Sequence, residues 1–294
     1  MLQNKNIKKK ILKKLCFKMV KLSFFYIFII IIIFNLISFV ESNSDSRWDL
    51  KGKSIVITGG TKGIGYECVE EMCKKGAKVL TCARDKRILN MALKSWGEKG
   101  YDVSGCVADV STERGRRILL EMAIKEFDGS IDCLVNNVGS NIRKKAIDFT
   151  PLEYQTIMRT NLDSCFYLSQ AFYPMLKSKA NEENNNAGSS IINIGSVAGG
   201  CSLAMKSGCI YAMTKAAMSQ LTYNLACEWG RENIRVNCVC PWYIRTPLAD
   251  QVLKDEAYKK TVLDVTPAGR VGEVEEVSSL VAFLAMDASS YITG

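Results

Sequence analysis

From residue 54 onward, short runs of apolar and β-branched residues alternate with longer stretches in which apolar residues recur at helical spacing. The strand-like runs are almost continuously apolar, which is typical of strands buried on both faces of a parallel sheet. They are SIVIT (54–58), AKVLTC (77–82), DVSGCVA (102–108), IDCLVNN (131–137), SSIINIG (189–195) and IRVNCVC (234–240). Strands separated by helices predict a single α/β domain over residues 47–294, with a doubly wound parallel sheet.

Two local signals refine this pattern. Thr150, Pro151 and Glu153 have the spacing of a capping box with proline at the first helical position, so a helix is expected to begin there. The asparagine-rich stretch NEENNNAG (181–188) interrupts the rhythm just before a strand. It is interpreted as a solvated loop insertion.

A different pattern precedes the domain. Residues 1–22 form a lysine-rich tail, residues 23–40 read SFFYIFIIIIIFNLISFV, and residues 41–46 form a linker. The apolar run predicts an N-terminal hydrophobic helix of about 27 Å that serves as a signal anchor or signal peptide. Positive charge on its N-terminal side would leave the N-terminus in the cytosol and the domain in the lumen, which corresponds to the membrane of the endoplasmic reticulum or the secretory route. The alternative is a cytoplasmic protein without this extension, and the lack of any N-x-[ST] sequon is compatible with it.

Charge and cysteine usage narrow the classes of function. The formal net charge is +9, but eight lysines precede the first acidic residue, so the domain itself is nearly neutral and nucleic-acid binding is not indicated. The chain has no histidine, which excludes Ser-His, Cys-His and His-metal chemistry. The twelve cysteines include no C-x-x-C pair and favour buried free thiols over disulfides or a metal site; those in apolar runs are Cys82, Cys106, Cys133, Cys227 and Cys238.

A glycine-rich turn follows the first predicted strand and opens the first helix. In TGGTKGIG, Gly59, Gly63 and Gly65 form the pattern G-x-x-x-G-x-G. Glycines at these positions let the backbone approach a pyrophosphate, and the helix N-terminus stabilises the negative charge. The GKS at 52–54 resembles the end of a P-loop, but Arg47 replaces its first glycine and the motif precedes its strand, so ATP chemistry is not indicated.

The end of the second predicted strand discriminates between the two nicotinamide dinucleotides. NAD sites usually carry an acid there for the ribose hydroxyls, whereas this chain reads TCARDK. Arg84 stands where a 2′-phosphate would be bound, and Lys62 adds a second cation. Asp85 is available to NAD, but its position also suits the N-cap of the next helix. The pattern favours NADP(H) over NAD(H).

Lys215 stands four positions after Tyr211 in GCIYAMTKAAMSQL, whose apolar positions predict a largely buried helix. Residues at i and i+4 share one face of a helix. Taken alone, the pair is explained by a snorkelling lysine beside a core tyrosine.

Together these features resemble the short-chain dehydrogenase/reductase family. The glycine turn, NNVG at 136–139, Asn161, Ser196 and the Tyr211-x-x-x-Lys215 pair occur in the family's order over about residues 47–294. SRWDLKGKSIVITGGTKGIG, NLACEWGRENIRVNCVCPW and EEVSSLVAFLAMDASSYITG are further similar to the tropinone reductase and tropinone-reductase-like subgroup of plants. The resemblance implies a Rossmann-like fold that binds a nicotinamide cofactor.

The resemblance also implies residue roles. Tyr211 would exchange a proton with the substrate, with its pKa lowered by Lys215; Ser196 would bind the carbonyl oxygen, and Asn161 would hold a water that links Lys215 to solvent. The implied cofactor-binding residues are Gly59, Thr61, Lys62, Gly63, Ile64, Gly65, Arg84, Asp109, Asn136, Gly139, Tyr211, Lys215, Pro241, Ile244 and Thr246. Trp242 departs from the glycine common after this proline, and no metal is implied.

The expected function is therefore NADPH-dependent hydride transfer between the nicotinamide and a small ketone or secondary alcohol. The alternative is a non-catalytic NADP(H)-binding sensor or scaffold tethered to a membrane through residues 23–40.

A homo-oligomer, dimer or tetramer, is expected through the helices that contain 154–176 and 211–229. The chain is expected to lack the family's final C-terminal strand. The substrate pocket is expected to be lined by residues 140–143, 197–205 and 242–253, and Arg143 in the first of these segments either binds an anion or faces solvent.

Overall fold

Six parallel strands form the centre of a computed structural model of the protein. They are β1 (Ser54–Thr58), β2 (Lys78–Ala83), β3 (Val103–Val107), β4 (Cys133–Asn136), β5 (Ser189–Ile194) and β6 (Ile234–Val239). The spatial order is β3-β2-β1-β4-β5-β6 and every pairing is parallel. All six strands lie where the apolar runs predict them, and the doubly wound Rossmann-like sheet is confirmed. Strand order reverses between β1 and β4, which is where such sheets open a crevice for ligands.

The structure describes residues 46–181, 187–200 and 208–294. The predicted helix at 23–40 and the lysine-rich tail lie outside these residues, as does most of the asparagine-rich loop. Within the ranges described, no helix is both long and apolar enough to cross a membrane. Residues Arg47–Gly294 form one compact unit.

Helices cover both faces of the sheet. They are α1 (Gly63–Lys74), α2 (Lys86–Glu98), α3 (Glu113–Glu126), α4 (Pro151–Met158), α5 (Ser164–Ala180), α6 (Cys209–Trp229), α7 (Pro247–Leu253), α8 (Glu256–Asp264) and α9 (Val274–Ala285). On one face, α1, α2 and α9 enclose a core that includes Ile55 and Ile57; on the other, α3, α5 and α6 enclose a core that includes Val56. Adjacent strand residues thus enter opposite cores, which explains why the strands are apolar at nearly every position.

The predicted helix start at residue 150 is confirmed, because Thr150 and Glu153 form a complete capping box with Pro151 at the first turn. The helical run continues from α4 through a π-helical turn, Arg159–Asp163, into α5. Such turns place one extra residue into a helix and are frequent at functional sites. Here the turn contains the fully buried Asn161. The predicted homo-oligomer through these helices and α6 stays a prediction.

The last residues of the sequence run beside the outer edge of β6. The backbone N–H of Gly294 donates to the carbonyl of Val236 at 2.8 Å, and the N–H of Val236 donates to the hydroxyl of Thr293 at 3.0 Å. The side chain of Asn237 also donates to the carbonyl of Ile292 at 2.8 Å. The expected further strand beyond residue 294 stays a prediction.

Candidate active site

A cavity of about 570 Å³ lies at the carboxyl ends of the strands, over the reversal between β1 and β4. The structure brings most of the predicted site residues together on its wall: Gly59, Thr61, Lys62, Gly63, Ile64, Arg84, Asp109, Gly139, Ser196, Tyr211, Lys215, Pro241, Ile244 and Thr246. Gly65, Asn136 and Asn161 do not line the cavity. Each of these three lies one layer behind the wall and positions residues that do.

The glycine turn forms the floor of the cavity. Gly59 and Gly63 have φ of +69° and +55°, a left-handed backbone that favours glycine. The N-terminus of α1, at Lys62, has no side-chain cap, whereas α2 and α3 are capped by Asp85 and Thr112. The first N–H groups of α1 are therefore available to an anion such as a pyrophosphate. This arrangement fits a dinucleotide.

Gly65 supports the turn by close packing. A Cβ on this residue would lie 2.4 Å from Nδ2 of Asn137 and 2.4 Å from the carbonyl oxygen of Gly59. The Asn137 amide donates to the carbonyls of Thr58 (3.0 Å) and Gly59 (3.2 Å), so it fastens the turn to the end of β4. No side chain larger than hydrogen fits here without moving the turn.

We expect Gly65→Ala to lower the free energy of unfolding by about 1–3 kcal/mol, because the added methyl group overpacks the turn. Gly97→Ala is the matched control, since Gly97 also lies in a helix but its Cβ would meet nothing within 4 Å. The control should gain about 0.5–1 kcal/mol from helix propensity. Urea unfolding and NADPH titration of both variants measure the difference; equal stabilities would show that the turn has room.

The NNVG segment contributes differently from the prediction, which assigned Asn136 to the cofactor. The side chain of Asn136 is buried and donates to Oδ1 of Asn193 at 2.9 Å and to the hydroxyl of Ser169 at 3.2 Å. Asn193 in turn donates to Thr222 at 2.9 Å. This polar network joins β4 and β5 to α5 and α6. The neighbouring Asn137 lines the cavity instead, because successive residues at a strand end point to opposite faces.

The end of the cavity at β2 and β3 carries two exposed cations. Arg84 and Lys62 both line it and both are exposed. Asp85 caps α2, accepting from the N–H groups of Arg87 and Ile88, as its position predicts. These backbone bonds lower the pKa of Asp85. Arg84 and Lys62 thus line the cavity, and the nearest acid, Asp85, is already used as a helix cap. This arrangement fits a 2′-phosphate.

Asp109 follows β3, as Arg84 follows β2, and also lines the cavity. Its Oδ1 accepts from the N–H of Ser111 at 3.1 Å and from the Ser111 hydroxyl at 2.7 Å. The carboxylate is held in a fixed orientation at the cavity wall. This geometry suits the role that the family resemblance implies, a contact to the adenine amino group.

Lys215 and Tyr211 lie on α6 at the other end of the cavity. Lys215 is 3% exposed, and its Nζ donates to the carbonyl oxygen of Ile194 at 2.6 Å. Nζ lies 5.8 Å from the centre of the Tyr211 ring. Burial lowers the pKa of Lys215. The lysine is therefore an enclosed group, and the interpretation as a snorkelling lysine is wrong.

Burial raises the pKa of Tyr211 above its usual value, and a hydrogen bond to Ser196 and the charge of Arg143 act in the opposite direction. The net pKa is raised because desolvation of the phenol is the largest influence, and the lowering by Lys215 that the resemblance implies stays a prediction. Tyr211 is consequently protonated at neutral pH. A protonated phenol is the form that donates a proton to a carbonyl oxygen.

Ser196 follows β5 and faces Tyr211. Its hydroxyl accepts from the N–H of Ala198 at 3.1 Å, so the side chain is oriented by the short turn it begins. Gly199 in the same turn packs on α6, where a Cβ would lie 2.4 Å from the carbonyl carbon of Lys215. This contact fixes the distance between the serine and the helix that carries the tyrosine.

Asn161 holds the loop after β4. Its Oδ1 accepts from the N–H of Ser140 at 2.8 Å, and its Nδ2 donates to the carbonyl of Ser140 at 3.0 Å and to the hydroxyl of Thr214 at 3.1 Å. A Cβ on Gly139 would lie 3.7 Å from Asn161 Oδ1 and 3.6 Å from Lys215 Nζ. The amide thus positions the loop beside the lysine.

The loop after β6 closes the cavity. Thr246 caps α7, and its Cγ2 lies 3.2 Å from the place of a Cβ on Gly63, so this loop contacts the glycine turn. Trp242 donates from Nε1 to the hydroxyl of Thr266 at 2.9 Å. Trp242 and Tyr243 both line the cavity. Tyr243 lies within the segment 242–253 that the sequence predicts to line the substrate pocket.

The cysteines are free thiols wherever the structure describes them. Cys82 and Cys133 are buried as expected, and Cys106 and Cys238 are partly buried. Cys227 is exposed, which contradicts the expectation, because it lies on the outer side of α6. Among the described side chains, no cluster of three Cys, Asp or Glu residues is arranged to hold a metal ion.

Comparisons with known proteins agree with this geometry. A family profile described as enoyl-(acyl carrier protein) reductase matches residues 59–294. A tropinone reductase homolog of Arabidopsis thaliana is 50% identical over 251 residues, covering 85% of this chain and 92% of the relative. A solved gluconate 5-dehydrogenase from Burkholderia cenocepacia, in complex with NADP and tartrate, has a TM-score of 0.76 at 30% identity and covers 84% of this chain and 93% of its own.

A second solved structure, a 7α-hydroxysteroid dehydrogenase complexed with NADH and 7-oxo glycochenodeoxycholic acid, has a TM-score of 0.75 at 31% identity, over 85% of this chain and 93% of its own. The solved relatives thus include complexes with either nicotinamide dinucleotide. With the profile match, the plant relative and the site geometry in agreement, the chain belongs to the short-chain dehydrogenase/reductase family of oxidoreductases.

Proposed function

We propose that the protein is an NADPH-dependent oxidoreductase that reduces a small ketone to a secondary alcohol and oxidises the alcohol in reverse. The observation that carries this proposal is the placement of Ser196 and Tyr211 together at one end of a cavity whose other end presents Arg84 and Lys62. The first pair supplies groups for carbonyl chemistry. The second pair supplies charge for a 2′-phosphate.

Three residues of this chain, Ser196, Tyr211 and Lys215, would act on the carbonyl group and on the transferred proton. Ser196 and Tyr211 hydrogen-bond the carbonyl oxygen, which orients the ketone and polarises its C=O bond. When bound, NADPH would supply the hydride that adds to the carbonyl carbon, and the cofactor would thereby become NADP⁺. Tyr211 donates its phenolic proton to the carbonyl oxygen, so that C=O becomes CH–OH. Lys215 stabilises the phenolate that remains until a proton returns from solvent.

Asn161 acts in this proposal as a positioning residue. Its side chain fixes Ser140 and Thr214, and through them the wall beside Lys215. The water that the resemblance implies on Asn161 stays a prediction. A ketone substrate is further supported by the solved relative that binds a 7-oxo bile acid.

The direct test is hydride consumption by the full-length chain, followed at the nicotinamide absorbance, with NADPH or NADH and a panel of cyclic and aromatic ketones. Turnover with NADPH supports the proposal. Tight NADPH binding without turnover of any ketone or alcohol would contradict it, and would favour the alternative of a non-catalytic NADP(H)-binding protein.

We expect Arg84→Ala to raise the KM for NADPH by about 10-fold, and the double replacement with Lys62→Ala by about 100-fold, because each removes one charge-assisted contact to the 2′-phosphate. The KM for NADH should change little, since NADH lacks that phosphate. Arg87→Ala is the matched control, because Arg87 is exposed on the next turn and lies outside the cavity. Equal effects on both cofactors would show that Arg84 does not recognise the phosphate.

A further inference from the structure

Arg143 is a cation at the substrate end of the cavity that the proposed reaction does not use. It lies on the loop after β4 and lines the cavity together with Tyr211, Trp242 and Tyr243. This loop lies against the start of α6, where a Cβ on Gly208 would be 3.1 Å from the carbonyl oxygen of Ile142 and 3.8 Å from Cα of Arg143. The arginine is therefore held close to Tyr211, the proposed proton donor.

The guanidinium of Arg143 is not neutralised by its described surroundings. Its Nε is buried and has no hydrogen-bond partner. The adjacent Lys144, by contrast, pairs with Glu153. A buried donor without an acceptor is costly, and nearly all buried polar groups in native structures have a partner in the protein or in a bound molecule such as water.

The polar groups next to Arg143 cannot serve as its counter-charge. The Tyr243 hydroxyl is hydrogen-bonded to the hydroxyl of Tyr258. Burial raises the pKa of Tyr243, while the charge of Arg143 and a hydrogen bond from Arg143 act to lower it, so Tyr243 is a neutral partner of the guanidinium at neutral pH. Nε1 of Trp242 is a donor and is already bonded to Thr266. These neighbouring groups therefore offer the guanidinium no negative charge.

The charge distribution along the cavity also indicates an anionic ligand. The two carboxylates on its described wall, Asp85 and Asp109, follow β2 and β3 at the far end. Both accept hydrogen bonds from their own loops. Near Tyr211 the charged wall residues are Arg143 and the enclosed Lys215. Because the wall's described carboxylates lie at the far end, a ligand placed here meets a positive field from these two wall residues.

We propose that Arg143 determines substrate specificity by binding a carboxylate on the ketone, so that the preferred substrates are keto acids or carboxylated cyclic or aromatic ketones. The inference rests on the proposed function and specifies its substrate class. Arginine presents a planar fork of donors that matches a carboxylate in two-point contact. The same charge disfavours a ketone that carries a protonated amine.

The test compares three ketones that share one ring and one carbonyl group: acetylbenzoate, acetylbenzamide and the acetylbenzylammonium ion, each as meta and para isomers. With NADPH and the full-length chain, kcat/KM for the better acetylbenzoate isomer should exceed that for the matching amide by about 10- to 100-fold. The ammonium compound should be the poorest substrate. The ratio of anion to amide is measured within each protein, so any effect of Arg143 on Tyr211 cancels.

Arg143→Met should reduce this ratio to about one, and Arg143→Lys should keep part of it, because lysine retains the charge and loses the fork. Lys145→Met is the matched control, since Lys145 is exposed on the same loop and outside the cavity; its ratio should equal that of the wild type. A wild-type ratio near one in both isomers, or an undiminished ratio in Arg143→Met, would overturn the proposal.

A binding measurement separates this inference from the proposed reaction. Benzoate is titrated by calorimetry into the full-length chain saturated with NADPH, for the wild type and Arg143→Met. Binding that weakens by about 10-fold or more in the variant supports the role of Arg143 even if no ketone turns over, in which case the proposed function fails alone. Equal affinity, or no binding to the wild type, contradicts the role of Arg143 while turnover of the neutral amide leaves the proposed function intact.

Discussion

Replacing Tyr211 with phenylalanine should lower kcat for ketone reduction by about 10²- to 10⁴-fold, the range that a positioned general acid contributes. The variant keeps the ring that packs at the end of the cavity and loses only the hydroxyl that faces Ser196. Because the carbonyl oxygen would then receive no proton as hydride adds, an alkoxide would have to form without a donor. NADPH binding should be nearly unchanged, and the defect should appear in kcat measured at saturating cofactor.

Tyr223→Phe is the matched control, because Tyr223 lies on the same helix but is 52% exposed on its outer side. Its kcat should equal that of the wild type. Fluorescence titration with NADPH checks that both variants bind the cofactor. A Tyr211→Phe protein that turns over the ketone as fast as Tyr223→Phe would refute the assignment of Tyr211 as proton donor.

The pH dependence of the wild type follows from the same group. Reduction needs the protonated phenol, and burial raises the pKa of Tyr211 above the usual value for tyrosine. The rate of reduction should therefore stay level through neutral pH and fall only as the pH rises through that raised pKa. Alcohol oxidation needs the phenolate and should increase over the same range. A decline of reduction that begins near neutral pH would show that another group donates the proton.

Much of the fold could be predicted because its determinants are local. The segments that form β1 (SIVIT) and β5 (SSIINI) carry Ile or Val on both faces, and only a strand between two layers of helices buries both faces. The capping box at Thr150 specifies a helix start within one turn. The π-helical turn around Asn161 could not be foreseen, because its benefit is a set of hydrogen bonds to the distant Ser140 and Thr214.

The site was predictable to the level of segments, and less so to the level of side chains. In NNVG, whether Asn136 or Asn137 faces the cavity depends on the residue at which β4 ends, and a shift of one residue exchanges the two faces. The net pKa of Tyr211 depends on how deeply the phenol is buried. The contribution of Arg143 depends on which acceptors surround it. Burial and partners are tertiary properties that spacing along the chain does not encode.

Lys215→Met should produce the second large effect, a loss of about 10²- to 10⁴-fold in kcat/KM, together with weaker NADPH binding. The side chain has similar length and no charge, so it removes the Nζ donor to Ile194 and the positive charge near the Tyr211 ring while filling the same space. The two readouts distinguish this variant from Tyr211→Phe, in which cofactor binding is expected to persist. Stopped-flow turnover and NADPH titration measure them separately.

Stability decides whether such a loss reflects chemistry or unfolding. An ammonium group that is 3% exposed carries a desolvation penalty, which is reflected in its lowered pKa, and methionine removes that penalty. The carbonyl of Ile194 loses its 2.6 Å partner, which costs about 1–3 kcal/mol. Since these effects have opposite sign, the free energy of unfolding should change by no more than about 2 kcal/mol.

Lys94→Met, at an exposed position of α2, controls for loss of a lysine charge. Wild-type kcat/KM and NADPH affinity in Lys215→Met would mean that this lysine is only a core residue, whereas a stable, inactive variant would place its charge in the reaction.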